Sequence, residues 1–89
     1  MVRDMALVVD VNITHQKIVD IIKSFALVGK VVLFDVYSGE QVPQGKKSLA
    51  YRVTFQSLKH TLTDNEVDKV QDQILDRLRK ELEAKLRSR

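Results

Sequence analysis

The chain has 89 residues, 44% of them hydrophobic, and a formal net charge of +3, so it can build one core but not two, and a separate catalytic domain has no room. It contains no cysteine, and His15 and His60 stand 45 positions apart with no ligand cluster around them, which excludes disulfides and thiolate sites and leaves no metal expected. No apolar run approaches the roughly 20 residues that span a bilayer and the N-terminus lacks a signal pattern, so the reading is a soluble, cytoplasmic chain with no membrane partner.

Met5 to Val9 is short, nearly all apolar and rich in β-branched residues, and reads as a strand buried on both faces near the sheet centre. Thr14 then stands as an N-cap, with Ile13 able to staple onto Ile18. Ile18, Ile21, Ile22 and Phe25 recur at helical spacing, and Gly29 closes the connection. Val31 to Tyr37 and Ser48 to Gln56 follow as an alternating hairpin, joined by a ten-residue loop, 38–47, that carries Gly39, Pro43, Gly45, Lys46 and Lys47. A loop longer than the usual two to five residues tends to carry function.

Strand alternation splits this hairpin into two faces. Val32, Phe34 and Val36 share one side of the first strand, and Val31, Leu33, Asp35 and Tyr37 the other. In the second strand Leu49, Tyr51, Val53 and Phe55 make an apolar face, and Ser48, Ala50, Arg52 and Thr54 point away from it. A carboxylate, an aromatic ring, a hydroxyl and a guanidinium are thereby expected on a face free of hydrophobic bulk.

Thr63-Asp64-Asn65-Glu66 is a capping box, with Leu62 placed to staple onto Val67. Val67, Val70, Ile74, Leu75, Leu78 and Leu82 continue an amphipathic helix of about five turns. The order β-α-β-β-α becomes an α+β, ferredoxin-like βαββαβ sandwich, with both helices on one face of an antiparallel sheet, if Ala84 to Arg87 supplies a last strand. No Gly or Asn stands there to stop the helix. The terminal Arg77, Arg79, Lys80, Lys85, Arg87 and Arg89 outnumber Glu81 and Glu83, as a solvated helix end does when its cations face the macrodipole.

Gly39 to Ser48 superficially suggests a phosphate loop, but the glycine spacing is wrong and both flanks are strands, so nucleotide hydrolysis is not expected. No nucleophile stands with an acid and a base, so no catalytic residue is assigned. If the hairpin closes with Tyr37 opposite Ser48, Asp35 falls opposite Ala50, making a small pocket with a ring, a carboxylate, a hydroxyl and an alanine that leaves room. One carboxylate can accept two hydrogen bonds from the ring N–H and exocyclic amine of guanine. The other reading of the same residues is a tyrosine over a sheet edge beside a solvated aspartate, and Lys46 and Lys47 read either as solvated loop lysines or as phosphate contacts.

The stretches RDMALVVD (Arg3 to Asp10), LFDVYSGEQVPQGKKSLAYRVTF (Leu33 to Phe55) and HTLTDNEVDKV (His60 to Val70) resemble the ferredoxin-fold anticodon-binding domain that closes the beta subunit of bacterial phenylalanyl-tRNA synthetases. The resemblance spans nearly the whole chain, so residues 1–89 are expected to be one anticodon-binding domain excised from a longer subunit. It implies a domain, non-catalytic alone and without a cofactor of its own, that grips the anticodon of phenylalanine tRNA. The ATP-dependent aminoacylation site would lie on the partner alpha subunit of a heterotetramer. By the same resemblance Tyr37 matches the aromatic that stacks on the first anticodon base, Asp35 and Ser48 match groups that bond that guanine, and Ala50 lies on the same strand. Lys46, Lys47 and Arg52 match positive positions assigned to backbone phosphates or to local pairing. Ser38 and Glu83 depart from the family's usual arginine and helix-ending glycine. The competing readings are an amino-acid-sensing domain of the ACT type, whose first strand-helix loop usually carries a glycine absent from Asp10 to Thr14, and a protein assembly module.

Overall fold

Both helices begin at the caps their sequences announce. In the computed structural model, which describes residues 1–39 and 42–86, helix α1 (His15–Lys23) starts at Thr14, whose Oγ1 accepts the Lys17 N–H at 3.3 Å. Helix α2 (Asp64–Leu82) starts at Thr63 with both halves of the capping box made: Thr63 Oγ1 accepts the Glu66 N–H, and Glu66 Oε1 accepts the Thr63 N–H, each at 3.3 Å. Caps of this kind contribute about 1 kcal/mol each. Ile13 packs against the core, and Leu62 and Val67 are buried beside the two cap positions.

The strands are β1 (Val2–Asp10), β2 (Val28–Tyr37), β3 (Lys46–Phe55) and β4 (Lys85–Leu86). They form one antiparallel sheet in the order β2-β3-β1-β4. With the element order β1-α1-β2-β3-α2-β4 this is the ferredoxin-like α+β sandwich. Its core lies between one sheet face and the helices: Met5, Leu7, Val9, Leu49, Tyr51, Val53 and Phe55 from the sheet meet Ile18, Ile22, Val67, Ile74 and Leu78. The helices cover that face alone and leave the other open.

Three expectations change. First, β1 is central but is not buried on both faces: Met5, Leu7 and Val9 are buried, whereas Ala6 and Val8 between them are only half-buried, because no layer covers the second face. Second, β2 starts at Val28, and Gly29 lies inside it as an unpaired residue between Val28 and Lys30 instead of ending the connection. Third, β3 starts at Lys46, which shortens the hairpin loop to residues 38–45. Gly45 makes that start possible with φ +82, a conformation that glycine adopts without strain.

The last helix does stop, and without a glycine. Glu83 takes the left-handed conformation (φ 55, ψ 26), its N–H bonds the Arg79 carbonyl at 3.0 Å, and the Ala84 N–H reaches the Leu78 carbonyl at 3.3 Å. Ala84 is then buried in the core and β4 pairs with β1, Leu7 opposite Leu86 and Val8 opposite Lys85. The final strand therefore exists over Lys85–Leu86; Arg87, expected at its end, and the tail cation Arg89 lie outside the described residues. No helix among the described residues is long and apolar enough to cross a membrane.

Candidate RNA-binding face

Residues directly opposite one another in a ladder share a face, so register assigns the open face row by row. One row across all four strands is Tyr37, Ser48, Val8 and Lys85. The next is Asp35, Ala50 and Ala6, and the third is Val32, Arg52 and Asp4. Tyr37 thus stands opposite Ser48 and Asp35 opposite Ala50, the pairing on which the pocket depends.

Plain alternation does not produce this arrangement. It groups Asp35 and Tyr37 with Val31 and Leu33, but Val31 pairs with Val53 and Leu33 with Tyr51, and both pack against the core. A β-bulge between Leu33 and Asp35 leaves Phe34 unpaired. One extra residue inverts the side on which every later side chain emerges, so Asp35 and Tyr37 reach the open face while Val36 pairs with Leu49. The expected freedom from hydrophobic bulk is corrected accordingly. Val32 and Phe34 are exposed, and Arg52, an open-face residue, lies over the Phe34 ring at 4.9 Å from its centroid.

The other expected residues divide. Ala50 and Ala6 are small neighbours that leave space beside Asp35. Asp35 is exposed and has no ion-pair partner among the described residues. Ser48 is in the row with Tyr37 but only 3% exposed, so a ligand reaches its hydroxyl only by displacing a neighbour. Tyr37 is half-buried and folds back over Gly39, where a β-carbon would stand 3.0 Å from the tyrosine Oη. The loop glycine thereby lets the ring sit close to the backbone.

The three cations differ in placement. Lys46 faces the open side, 3.5 Å from Asp10. Lys47 pairs with Val9 and shares the side of Leu49, so strand alternation turns it toward the helix layer, away from Tyr37; the sequence had no register with which to see this. Arg52 donates from Nε and Nη2 to the two Asp4 carboxylate oxygens at 3.0 and 3.2 Å. The hydrogen bond to Asp4, more than its charge alone, pushes the guanidinium's pKa further up. Local pairing therefore describes Arg52.

Sequence reasoning missed Phe34, Ala6, Val8 and Lys85. Phe34 is displayed by a bulge that no glycine or proline marks, and the others join the face through the β1 pairings. The ring, the exposed carboxylate and a two-alanine floor suit a planar ligand that donates two N–H groups. Among the described residues no group of three or more His, Cys, Asp or Glu side chains could hold a metal ion.

Comparison with known proteins gives this geometry a context. Residues 1–87 match the ferredoxin-fold anticodon binding domain family. The chain is 56% identical over 86 residues to a phenylalanine–tRNA ligase beta subunit of Dehalococcoides mccartyi, covering 97% of this chain and 11% of that protein. The beta subunit from a second strain of that species is 52% identical over the same coverage. That of Lactococcus lactis is 41% identical over 87 residues, 96% of this chain and 11% of its own. The chain thus spans about a ninth of the length of these relatives. It belongs to the ferredoxin-fold anticodon-binding domain family.

Proposed function

We propose that this domain reads the anticodon of phenylalanine tRNA as part of a phenylalanine–tRNA ligase beta subunit, and that it performs no chemistry itself. The single observation that carries the reading is the juxtaposition of Tyr37 and Asp35 on adjacent rows of the open face, above Ala50. The ring of Tyr37 stacks on the first anticodon base. The Asp35 carboxylate accepts the ring N–H and the exocyclic amine of a guanine there, and Ser48 bonds the same base once a neighbour yields. Adenine offers no such pair of donors, so the carboxylate discriminates. The beta subunit names of the relatives support the tRNA identity. An alpha subunit in a cytoplasmic heterotetramer would carry the ATP-dependent aminoacylation, and no cofactor is needed in this domain.

The test is binding of the chain to the phenylalanine anticodon stem-loop and to a copy with adenine at the first anticodon position, at one fixed low salt concentration because phosphate contacts depend on salt. Preference for guanine by about 1–3 kcal/mol, the range of one good bidentate pair, is the expected result. Equal affinity for the two would refute base readout.

A further inference from the structure

The row that begins at Tyr37 continues beyond the pocket. Val8 stands between Ser48 and Lys85, and β4 carries Lys85 onto the open face on the far side of β1. Strands lie about 4.8 Å apart, so Lys85 is roughly 10 Å from the strand that bears Ser48. At this edge there is a groove of about 480 Å³ lined by Val8, Pro43, Lys46, Arg79, Glu83 and Lys85. Three of the six lining side chains are cationic and one is anionic.

The cations are not consumed by local pairs. Arg79 bonds Asp76 at 2.8 Å, but Lys80 shares the same carboxylate at 3.0 Å, so this trio keeps a net positive charge. Lys46 is held by Asp10 at 3.5 Å, longer than a hydrogen-bonded pair. Lys85 is exposed and has no carboxylate partner among the described residues. The groove also has an apolar wall, Val8 and Pro43, against which a ribose can lie while its phosphate meets the cations. It starts at the ladder neighbour of Ser48, so a strand leaving a base on Tyr37 enters it without crossing the protein.

We infer that this groove is a second RNA contact: Lys85, Arg79 and Lys46 hold the phosphodiester backbone of nucleotides next to the one stacked on Tyr37, without reading sequence. The inference rests on the anticodon reading above and sets a base-reading part, Asp35 and Tyr37 on β2, beside a backbone-holding groove whose cations come from the start of β3 (Lys46), the end of α2 (Arg79) and β4 (Lys85). The left-handed turn at Glu83 gains a role, since it brings Lys85 back beside Val8.

The experiment measures affinity for the phenylalanine anticodon stem-loop across a salt series for the wild-type chain, Lys85→Gln, Arg79→Gln, Glu83→Gln and a control, Lys23→Gln, on α1 away from the groove. Each phosphate contact to a single strand contributes about 0.7 to the magnitude of the slope of log K against log salt. Lys85→Gln and Arg79→Gln are each expected to reduce that slope by about 0.7, to weaken binding several-fold at low salt, and to leave the guanine-to-adenine ratio unchanged. Glu83→Gln is expected to strengthen binding, and Lys23→Gln to do neither. A wild type that prefers guanine, with slopes unaltered by Lys85→Gln and Arg79→Gln or altered equally by Lys23→Gln, would overturn the groove and leave the anticodon reading standing. Wild-type affinity equal for guanine and adenine, with the groove variants still shifting the slope, would overturn base readout and support the backbone contact. No RNA binding by the wild type would overturn both.

Discussion

Arg52 on β3 grips both oxygens of the Asp4 carboxylate on β1, at 3.0 and 3.2 Å, and the same guanidinium lies over Phe34, the residue that β2 leaves unpaired at its bulge. A single charged side chain thus crosses the open face and touches all three long strands. The pair is exposed, so its attraction is screened by salt, whose Debye length shrinks to about 3 Å at 1 M. Asp4→Asn is expected to lower the melting temperature slightly at low salt, with the gap to wild type closing as salt rises. A gap that stays constant across the salt series would assign Asp4 a role other than charge pairing.

Tyr37→Ala should weaken binding to the anticodon stem-loop by roughly 1–3 kcal/mol, the contribution of one stacked base. The melting temperature should be nearly unchanged, because Tyr37 lies on the face opposite the core. Asp35→Ala should remove the preference for guanine over adenine while retaining most of the affinity. Titration calorimetry or fluorescence with the two stem-loops measures both, and a collapse of thermal stability in Tyr37→Ala would contradict the orientation the bulge imposes.

Glu83→Gly should stabilise the fold. A non-glycine residue in the left-handed region carries a cost of about 1–2 kcal/mol, and Glu83 occupies that region at φ 55. Part of the gain is lost to the greater freedom of glycine in the unfolded chain, leaving about 1 kcal/mol, or a rise of about 4–8 °C in Tm for a domain of this size. Thermal unfolding followed by circular dichroism checks it. A drop in Tm would mean that the glutamate side chain contributes more than its backbone costs.

Tyr51 is fully buried in the core, yet its hydroxyl reaches the surface layer: His15 Nδ1 lies 3.0 Å away and the two rings stack with an interplanar angle of 4°. Burial pushes the phenol up to about 12. An unfolded tyrosine loses its proton near pH 10, so between about pH 10 and 12 the native state holds a proton that the unfolded state has released. Stability must then fall as pH rises through that window. Tyr51→Phe should cost about 0.5–1.5 kcal/mol at neutral pH for the lost hydrogen bond and should unfold less steeply with alkali. Parallel denaturant titrations at neutral and alkaline pH compare the two.

Glu66 serves the α2 cap and also accepts from His60. The hydrogen bond from His60 leads, and those from Thr63 assist, in holding its carboxyl below the ordinary value of 4.5. A depressed carboxyl contributes stability that is complete above the unfolded pKa and is lost as pH falls through the folded one. Wild type should therefore lose stability below about pH 4.5 more steeply than Glu66→Gln, as measured by Tm across an acid series. Asp76, depressed chiefly by its hydrogen bond from Arg79 and then by that from Lys80, adds a second contribution of the same sign, which Asp76→Asn removes separately.

What the sequence made legible and what it hid follow from the range of the interactions involved. The caps at Thr14 and Thr63 are decided within four residues, so composition and spacing reveal them. The apolar side of β3 is equally plain, since Leu49, Tyr51, Val53 and Phe55 alternate without interruption. The β4 strand is not a local property: Glu83 tolerates a disfavoured backbone because burial of Ala84 and pairing with β1 outweigh it. The pairing of Tyr37 with Ser48 and of Asp35 with Ala50 was legible because it depends on one hairpin, whereas the bulge that parts Asp35 and Tyr37 from the side of Val31 and Leu33 was not. The candidate site was also hidden where it depends on the β1 ladder, which turns Lys47 away and adds Val8 and Lys85.

The bulge at Phe34 means that β2 is written in two opposite phases. Before it, Val31 and Leu33 at odd-numbered positions face the core; after it, Asp35 and Tyr37, also odd, face the open side. Pairing Phe34 with Ala50 in a straight strand would turn the Asp35 carboxylate to the core side and Val36 to the open one, whereas deleting Phe34 would leave Leu33 opposite Tyr51 and Asp35 opposite Ala50 and keep every later residue on its present side. Each half can therefore vary under its own demands, packing before the bulge and display on the open face after it, as long as Leu33 stays opposite Tyr51 and Asp35 opposite Ala50. The unpaired position of Phe34 is thus as much a part of the open face as the side chains displayed around it.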